Sequence, residues 1–445
     1  MSKFTTKLRK NRFISGVFTI GLGNFIAQLI SVATILVISR LYNQETYGEY
    51  GIIISTATII TSFSTLGLTS AIMTPDNENE GRLVLLTAFY IQITMSLLCY
   101  IIILIIEPYY LLYKIKGSYY FSLMLMFIYI FFNNVRILIY TYVNRIGLNR
   151  VLMINPIIRS IAIMLISVAM GLLSANYFGL LFAVITAEIL TSIQMIVRVN
   201  PFKQKYCHSD FIFIIKKYRS YILFLCPANI ISAASIQTPI QYLSRFFGNT
   251  TLGSYSMCTR AINYPISLVA SSISTVYFRT ASEYYRDGVN LADFTFKLVA
   301  YSMLAAFFPL LITIFYGADI FSFILGENWR EAGKIASIVI YEYVLSFCFY
   351  CTSYCRVVIG RQRMNLGYAI FDVAVMLACC LVVYNAKYSL INTIIVFSCS
   401  RCIVYIIDMC LNFHCLGKNL LRYVFFIIPY SIIVILCLFF MHGLI

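Results

Sequence analysis

Thirteen times in 445 residues the chain repeats one unit, an apolar run of about 20 residues closed by a short polar connection. The runs cover 16–38, 48–72, 83–106, 119–142, 151–173, 177–197, 220–244, 252–278, 295–317, 335–358, 366–385, 389–412 and 423–443. That length matches the hydrocarbon thickness of a bilayer, and in lipid each backbone N–H and C=O must find its partner inside the segment. Helix is the conformation that achieves this, so the sequence predicts an all-α, polytopic membrane protein. Charge is correspondingly scarce, at 11% of residues, where soluble domains carry about 25%. The run from Gly16 to Ile38 is too long for a signal-peptide core and no small-residue cleavage pattern follows it. It is read as a retained first span.

The cations that remain are distributed unevenly. With the N-terminus placed inside, connections on that side hold 22 Lys and Arg and the opposite connections 7. This asymmetry is the positive-inside pattern and sets a cytoplasmic N-terminus. It also accounts for the net charge of +16 without nucleic acid. The richest connection, Arg198 to Arg219, carries six cations and is read as an anchor at anionic headgroups, which makes membrane lipids a partner.

That connection lies near the middle of the chain, and the two sides share a motif. Ser39, Arg40, Thr46, Gly48 and Tyr50 follow the first span; Ser244, Arg245, Thr251, Gly253 and Tyr255 follow the seventh, at a constant offset of 205. Each half has an even number of spans, so its copies keep one orientation. The expected architecture is two pseudo-symmetric six-helix lobes, 1–200 and 220–413, joined by a basic cytoplasmic linker, 201–219. An additional C-terminal membrane segment lies within 414–445. A parallel repeat about an axis along the membrane normal is a geometry of rocking transporters.

Ionisable groups inside spans cost about 2.5–3.5 kcal/mol each at the bilayer centre, so they face water or a partner. Arg136 lies on a polar stripe with Asn133, Tyr140 and Asn144; Arg159 follows Asn155 by one turn; Arg260 neighbours Asn263; Arg401 shares a face with Ser398, Tyr405 and Asp408. Arginine grips phosphate through a planar fork and stays charged when partly desolvated. Arg136, Arg159, Arg260 and Arg401, with Asn133 and Asn263, are therefore candidates for a cationic substrate cavity. The competing account pairs each arginine with a buried carboxylate, Arg401 with Asp408 first among them. Glu188, Asp372, Glu342 and Asp408 are candidates for binding a coupling H⁺ or Na⁺, or for neutralising the arginines. Arg40 and Arg245, at equivalent span ends, are candidates for an outer gate or simply cap the turn.

Enzyme chemistry has little to stand on. The chain has neither a Gly-rich phosphate loop ending in Lys-Ser/Thr nor a His-Glu-x-x-His helix. Of its three histidines, His208 and His414 lie outside the apolar runs and His442 at the very end of the last, and its fourteen cysteines read as small packing residues. No enzyme activity, cofactor or metal is expected.

Three stretches carry a family resemblance. The turn from Ser39 to Gly51, the stretch Ser64 to Ala71 around Gly67 and Leu68, and Phe321 to Ala332 with Gly326 and the single tryptophan, Trp329, resemble motifs of the bacterial polysaccharide biosynthesis family. These are the Wzx-type O-antigen flippases of the MATE-like superfamily, and the resemblance runs to about residue 412. It implies a pair of six-helix bundles around a cationic cavity. It also implies a substrate, an undecaprenyl-diphosphate-linked oligosaccharide, moved from the cytoplasmic to the periplasmic leaflet of the bacterial inner membrane. Alternating access, H⁺ or Na⁺ antiport and polysaccharide polymerase partners belong to the same implication. Family members often have twelve or fourteen spans, so thirteen departs from the pattern. The rivals are a cation-coupled drug or metabolite antiporter on the same scaffold, which favours a cavity of carboxylates and aromatics, and an O-antigen polymerase or ligase. The latter needs a large periplasmic loop, for which the connections at 106–119 and 317–335 are too small.

Overall fold

The computed structural model describes residues 2–75, 77–106, 119–174, 176–200, 207–288, 290–359, 361, 364–417, 428, 430 and 431. In chain order the helices are α1 (Ser2–Leu41), α2 (Gln44–Ser64), α3 (Leu68–Ala71), α4 (Glu78–Ile106), α5 (Tyr119–Ile146), α6 (Asn149–Leu173), α7 (Tyr177–Val199) and α8 (His208–Lys217). Then follow α9 (Cys226–Phe247), α10 (Asn249–Arg286), α11 (Leu291–Leu325), α12 (Arg330–Cys351), α13 (Cys355–Val358), α14 (Met364–Ala386) and α15 (Leu390–Cys415). No strand occurs among the described residues.

Among the described residues, ten segments are long and apolar enough to cross a membrane. They agree with ten of the runs read from sequence. The second and eighth runs form α2 and α10, which are 21 and 38 residues long but more polar. On α2 the polar side chains Thr46, Glu49, Ser55 and Ser64 are buried against protein. The thirteenth run, 423–443, lies almost wholly outside the described residues.

Two runs are broken where sequence shows continuous apolarity. α2 stops at Ser64, and the chain turns through Leu66 at φ 49° and Gly67 at φ 76° before α3. A side chain on Gly67 would approach the Tyr221 carbonyl oxygen at 2.9 Å, so the glycine serves both the left-handed backbone and the close approach. Between Cys351 and Cys355 the chain turns again, separating α12 from α13.

The helices group into two compact units, Met1–Gly253 and Ser254–Ile445, with the division inside α10. In the first unit α1 packs on α6, α7 lies against α5 and α6, and α2 lies against α5 and α9. Leu68, Val84, Leu138, Tyr142, Ile214 and Tyr218 form one core, where α8 seats on α4. The Tyr218 hydroxyl donates to Glu80 at 2.8 Å and Lys217 pairs with Glu80 at 2.5 Å, fixing the end of the basic linker. Burial and that carboxylate raise the Tyr218 phenol to about 12.

Also within the first unit, the two motif copies meet. A Cβ on Gly48 would lie 1.9 Å from the Asn249 carbonyl oxygen, and one on Gly253 would lie 1.8 Å from the Gln44 carbonyl oxygen. Gln44 and Asn249 are themselves 205 apart, as are Gly48 and Gly253. Each glycine thus admits the backbone of the other copy, the reciprocal pattern of an isologous contact. In the second unit α11 and α12 form a hairpin around Gly317 and Gly333, α15 packs on α12 and α14, and Trp329 is fully buried at the hairpin turn.

Candidate functional site

Inside the first unit Arg136, Arg159 and Glu188 come together. Helical spacing puts Arg136 and Asn133 on one face of α5, Arg159 on α6 and Glu188 on α7, and these three helices pack together. Glu188 is fully buried, with one guanidinium on each carboxylate oxygen. The Arg136 Nε donates to Oε2; the Arg159 Nε donates to Oε1 at 2.8 Å, and its Nη2 lies 2.8 Å from the same oxygen. The Arg136 Nη2 also donates to the Asn133 side-chain oxygen Oδ1 at 3.3 Å.

Two cations share one anion, so the cluster holds a net +1. Its exposure is lopsided: 0% for Glu188, but 19% for the Arg136 side chain and 33% for Arg159. Glu188 is enclosed, while both arginine side chains keep part of their surface exposed. Below them Asn155 donates to the Thr191 carbonyl oxygen at 3.1 Å and to the Gln194 side chain at 2.9 Å, holding α6 on α7 where Arg159 and Glu188 must meet.

The second unit is organised differently. Arg401 is buried on α15 and donates through Nη1 to both oxygens of Asp372 on α14, at 2.7 and 3.0 Å. The expected pairing of Arg401 with Asp408 does not form. Asp408 is instead paired with Arg356, whose Nε donates to the Asn412 side chain at 2.8 Å; Asn412 in turn donates to Asp408 at 3.2 Å. Seven residues along a helix span about 10 Å, beyond what the Arg401 side chain reaches along its own axis. Glu342, on α12, bonds the Ser398 hydroxyl and lies within electrostatic reach of Arg401.

The other residues singled out from sequence are not drawn into these clusters. Arg260 is half-buried on α10, with interactions of its own, and Asn263 is exposed. Arg40 is exposed and donates to the Leu36 carbonyl oxygen at 3.0 Å, which satisfies the end of its own helix; Arg245 is exposed at the end of α9. Two participants escaped sequence reasoning. Arg356, near the end of the tenth run, was not among the candidates, yet it is buried, and the Asp408–Asn412 spacing was the signal that a cation was owed to that face. Gln241 on α9 donates to Ser55 and Thr56 on α2, at 3.1 and 3.0 Å. An amide within an apolar run was its only mark.

A family model described as "Polysaccharide biosynthesis protein" matches residues 37–334. Among solved structures, the fold is similar to a lipid II flippase, MurJ, in an inward closed conformation, with a TM-score of 0.67 and 14% identity over 95% of this chain and 96% of that one. It is also similar to an inward-facing multidrug resistance MATE family transporter of the MOP superfamily, with a TM-score of 0.63 and 15% identity over 88% and 96%. A further neighbour, a MOP superfamily transporter from Pyrococcus furiosus described by the reverse polarity of its binding pocket, gives 0.60 and 13% over 92% and 97%. These likenesses establish a MATE- and MurJ-like membrane fold. No curated protein matches the chain in sequence.

Proposed function

Since the chain belongs to the polysaccharide biosynthesis protein family and has the fold of membrane transporters and flippases, we propose that it flips an undecaprenyl-diphosphate-linked oligosaccharide across the bacterial inner membrane. The direction is from the cytoplasmic to the periplasmic leaflet, by alternating access between two six-helix lobes. The observation that carries this reading is the Arg136–Arg159–Glu188 cluster, in which two guanidiniums share one buried carboxylate and both arginine side chains stay partly exposed. Guanidinium turned toward hydrocarbon is costly, so those exposed parts open on water. A diphosphate offers two anionic centres with several acceptor oxygens, matched to paired planar forks. The lipid tail stays in the bilayer and the glycan fills the wet space beside the arginines. A cluster with surplus positive charge suits an anionic substrate and disfavours a drug cation.

The test is export in a strain lacking the gene. Surface polysaccharide should be lost, with undecaprenyl-linked units stranded on the cytoplasmic side, and the wild-type gene should restore it. Arg136→Ala and Arg159→Ala should insert in the membrane yet fail to restore export. Normal export by both variants overturns the headgroup reading.

A further inference from the structure

Three of the four carboxylates singled out within the spans are neutralised by guanidinium: Glu188 by two arginines, Asp372 by Arg401 and Asp408 by Arg356. Glu342 stands apart. Its hydrogen-bond partner is the Ser398 hydroxyl, and the cation that reaches it is Arg401, already bonded to Asp372. The other titratable groups facing it carry no charge near neutral pH. Tyr255 and Cys258 approach from α10, and Tyr343 and Tyr350 from its own helix. Cys399, Cys402 and Tyr405 approach from α15.

Arg401 itself is incompletely used. Both hydrogen bonds to Asp372 leave from Nη1, while Nη2 is buried and has no acceptor among the described residues. An orphaned charged donor in a buried site is expensive, and an acceptor that can approach it gains what the donor lacks. Glu342 is the second carboxylate whose charge acts on Arg401, which makes it the candidate acceptor. If both carboxylates were ionised, one guanidinium would face two negative charges inside the span; a single proton makes the set neutral.

We propose that Glu342 is a proton-binding site of the second unit and that Arg401 exchanges Asp372 for Glu342 when that proton leaves. The step conserves atoms simply: Glu342 gives one proton to water, and the carboxylate formed takes a hydrogen bond from Nη2 as the Asp372 bonds loosen. The tie from α15 then passes from α14 to α12, a discrete change between two packings of the kind that alternating access uses. That this proton drives flipping rests on the function proposed above; that it binds at Glu342 does not.

The experiment uses the purified full-length protein, with protons as the probe. Infrared difference spectra and dye-monitored proton uptake are followed between about pH 5 and about pH 9. Glu342→Gln should lose about one proton per chain together with the protonated-carboxyl band. Glu342→Asp should keep both. Asp372→Asn should also lose them, because Arg401 then has Glu342 as its only carboxylate and holds it ionised; this variant retains Glu342 and reports even where Glu342→Gln does not fold. A wild-type signal in Asp372→Asn, or in a folded Glu342→Gln, overturns the assignment, as does uptake that follows Na⁺ and not H⁺. Undecaprenyl diphosphate binding by the wild type is measured in parallel. Its absence with the Glu342 proton present defeats the headgroup reading alone, and binding without that proton defeats this one alone.

Discussion

Replacing Glu188 by glutamine removes one negative charge from between two guanidinium groups and hardly changes the shape of the side chain. The amide oxygen still accepts from one arginine, but the NH₂ group turns a donor toward the other. Removing one partner of a buried ion pair costs about 3–5 kcal/mol. Arg136 and Arg159 keep 19% and 33% exposure, which lets water solvate the stranded guanidinium, so a loss of about 2–3 kcal/mol is expected. For a unit of this size each kcal/mol moves a thermal midpoint by about 2–4 °C, giving a fall of about 4–12 °C. Binding should move the other way. The cluster passes from +1 to +2, and one added unit charge at about 5 Å attracts a phosphate by about 3 kcal/mol at an effective dielectric of about 20. Screening halves this to about 1.5 kcal/mol, or roughly tenfold in affinity. Thermal unfolding and undecaprenyl diphosphate binding, measured on the same detergent-purified protein, read both quantities. Stability unchanged, or affinity equal to or weaker than wild type, refutes the idea that Glu188 is an internal stand-in for the anionic headgroup.

The contact between the motif copies makes Gly48→Ala and Gly253→Ala each destabilising by about 1–3 kcal/mol, since either methyl would meet backbone at under 2 Å; thermal midpoints of the two single variants should fall alike, and a neutral result at both refutes the reciprocal contact. Arg356→Ala leaves Asp408 charged and buried and should cost about 3–5 kcal/mol, with most of the loss recovered in Arg356→Ala combined with Asp408→Ala, checked by thermal unfolding. The Tyr218 phenol, raised from 10.0 to about 12 in the folded chain, contributes stability that is complete below pH 10 and vanishes as pH rises through 12. Tyr218→Phe should therefore lower the unfolding midpoint at neutral pH and flatten its alkaline limb, so that the two proteins converge above pH 12.

Spans were legible because apolar run length is a one-dimensional signal and the bilayer fixes its scale. Arg136 and Asn133 were legible for a similar reason: three residues along a helix share a face, and that face proved polar inside the packed unit. Pairings were not. Periodicity says which side chains share a face of one helix, but a guanidinium reaches across to the neighbouring helix, and the identity of that neighbour is set by packing. Hence Asp408 looked like the partner of Arg401 and belongs to Arg356, while Arg401 belongs to Asp372 on α14. The breaks after Ser64 and Cys351 were hidden because hydropathy carries no information on φ; only Gly67 hinted at one of them. The glycines at 48 and 253 were visible as a repeated letter, and their role emerged only when each was seen to receive the other copy's backbone.

Charge inside a membrane protein is costly enough that each surplus calls for a mobile counterion or a reason to be there. In the first unit Arg136 and Arg159 both bind the single carboxylate of Glu188, and on the function proposed above the anion that joins them is a phosphate. In the second, Arg401 stands against both Asp372 and Glu342, so that set is one cation short, and the missing charge has the sign of a proton. Neither imbalance helps folding; a fully paired core of the same shape would be at least as stable. On the two proposals made above, each is a place where something that comes and goes completes the electrostatics. A transporter that binds an anion at one such place and a proton at the other has two independent handles on its conformational equilibrium. Their coupling free energy is what a gradient can act through.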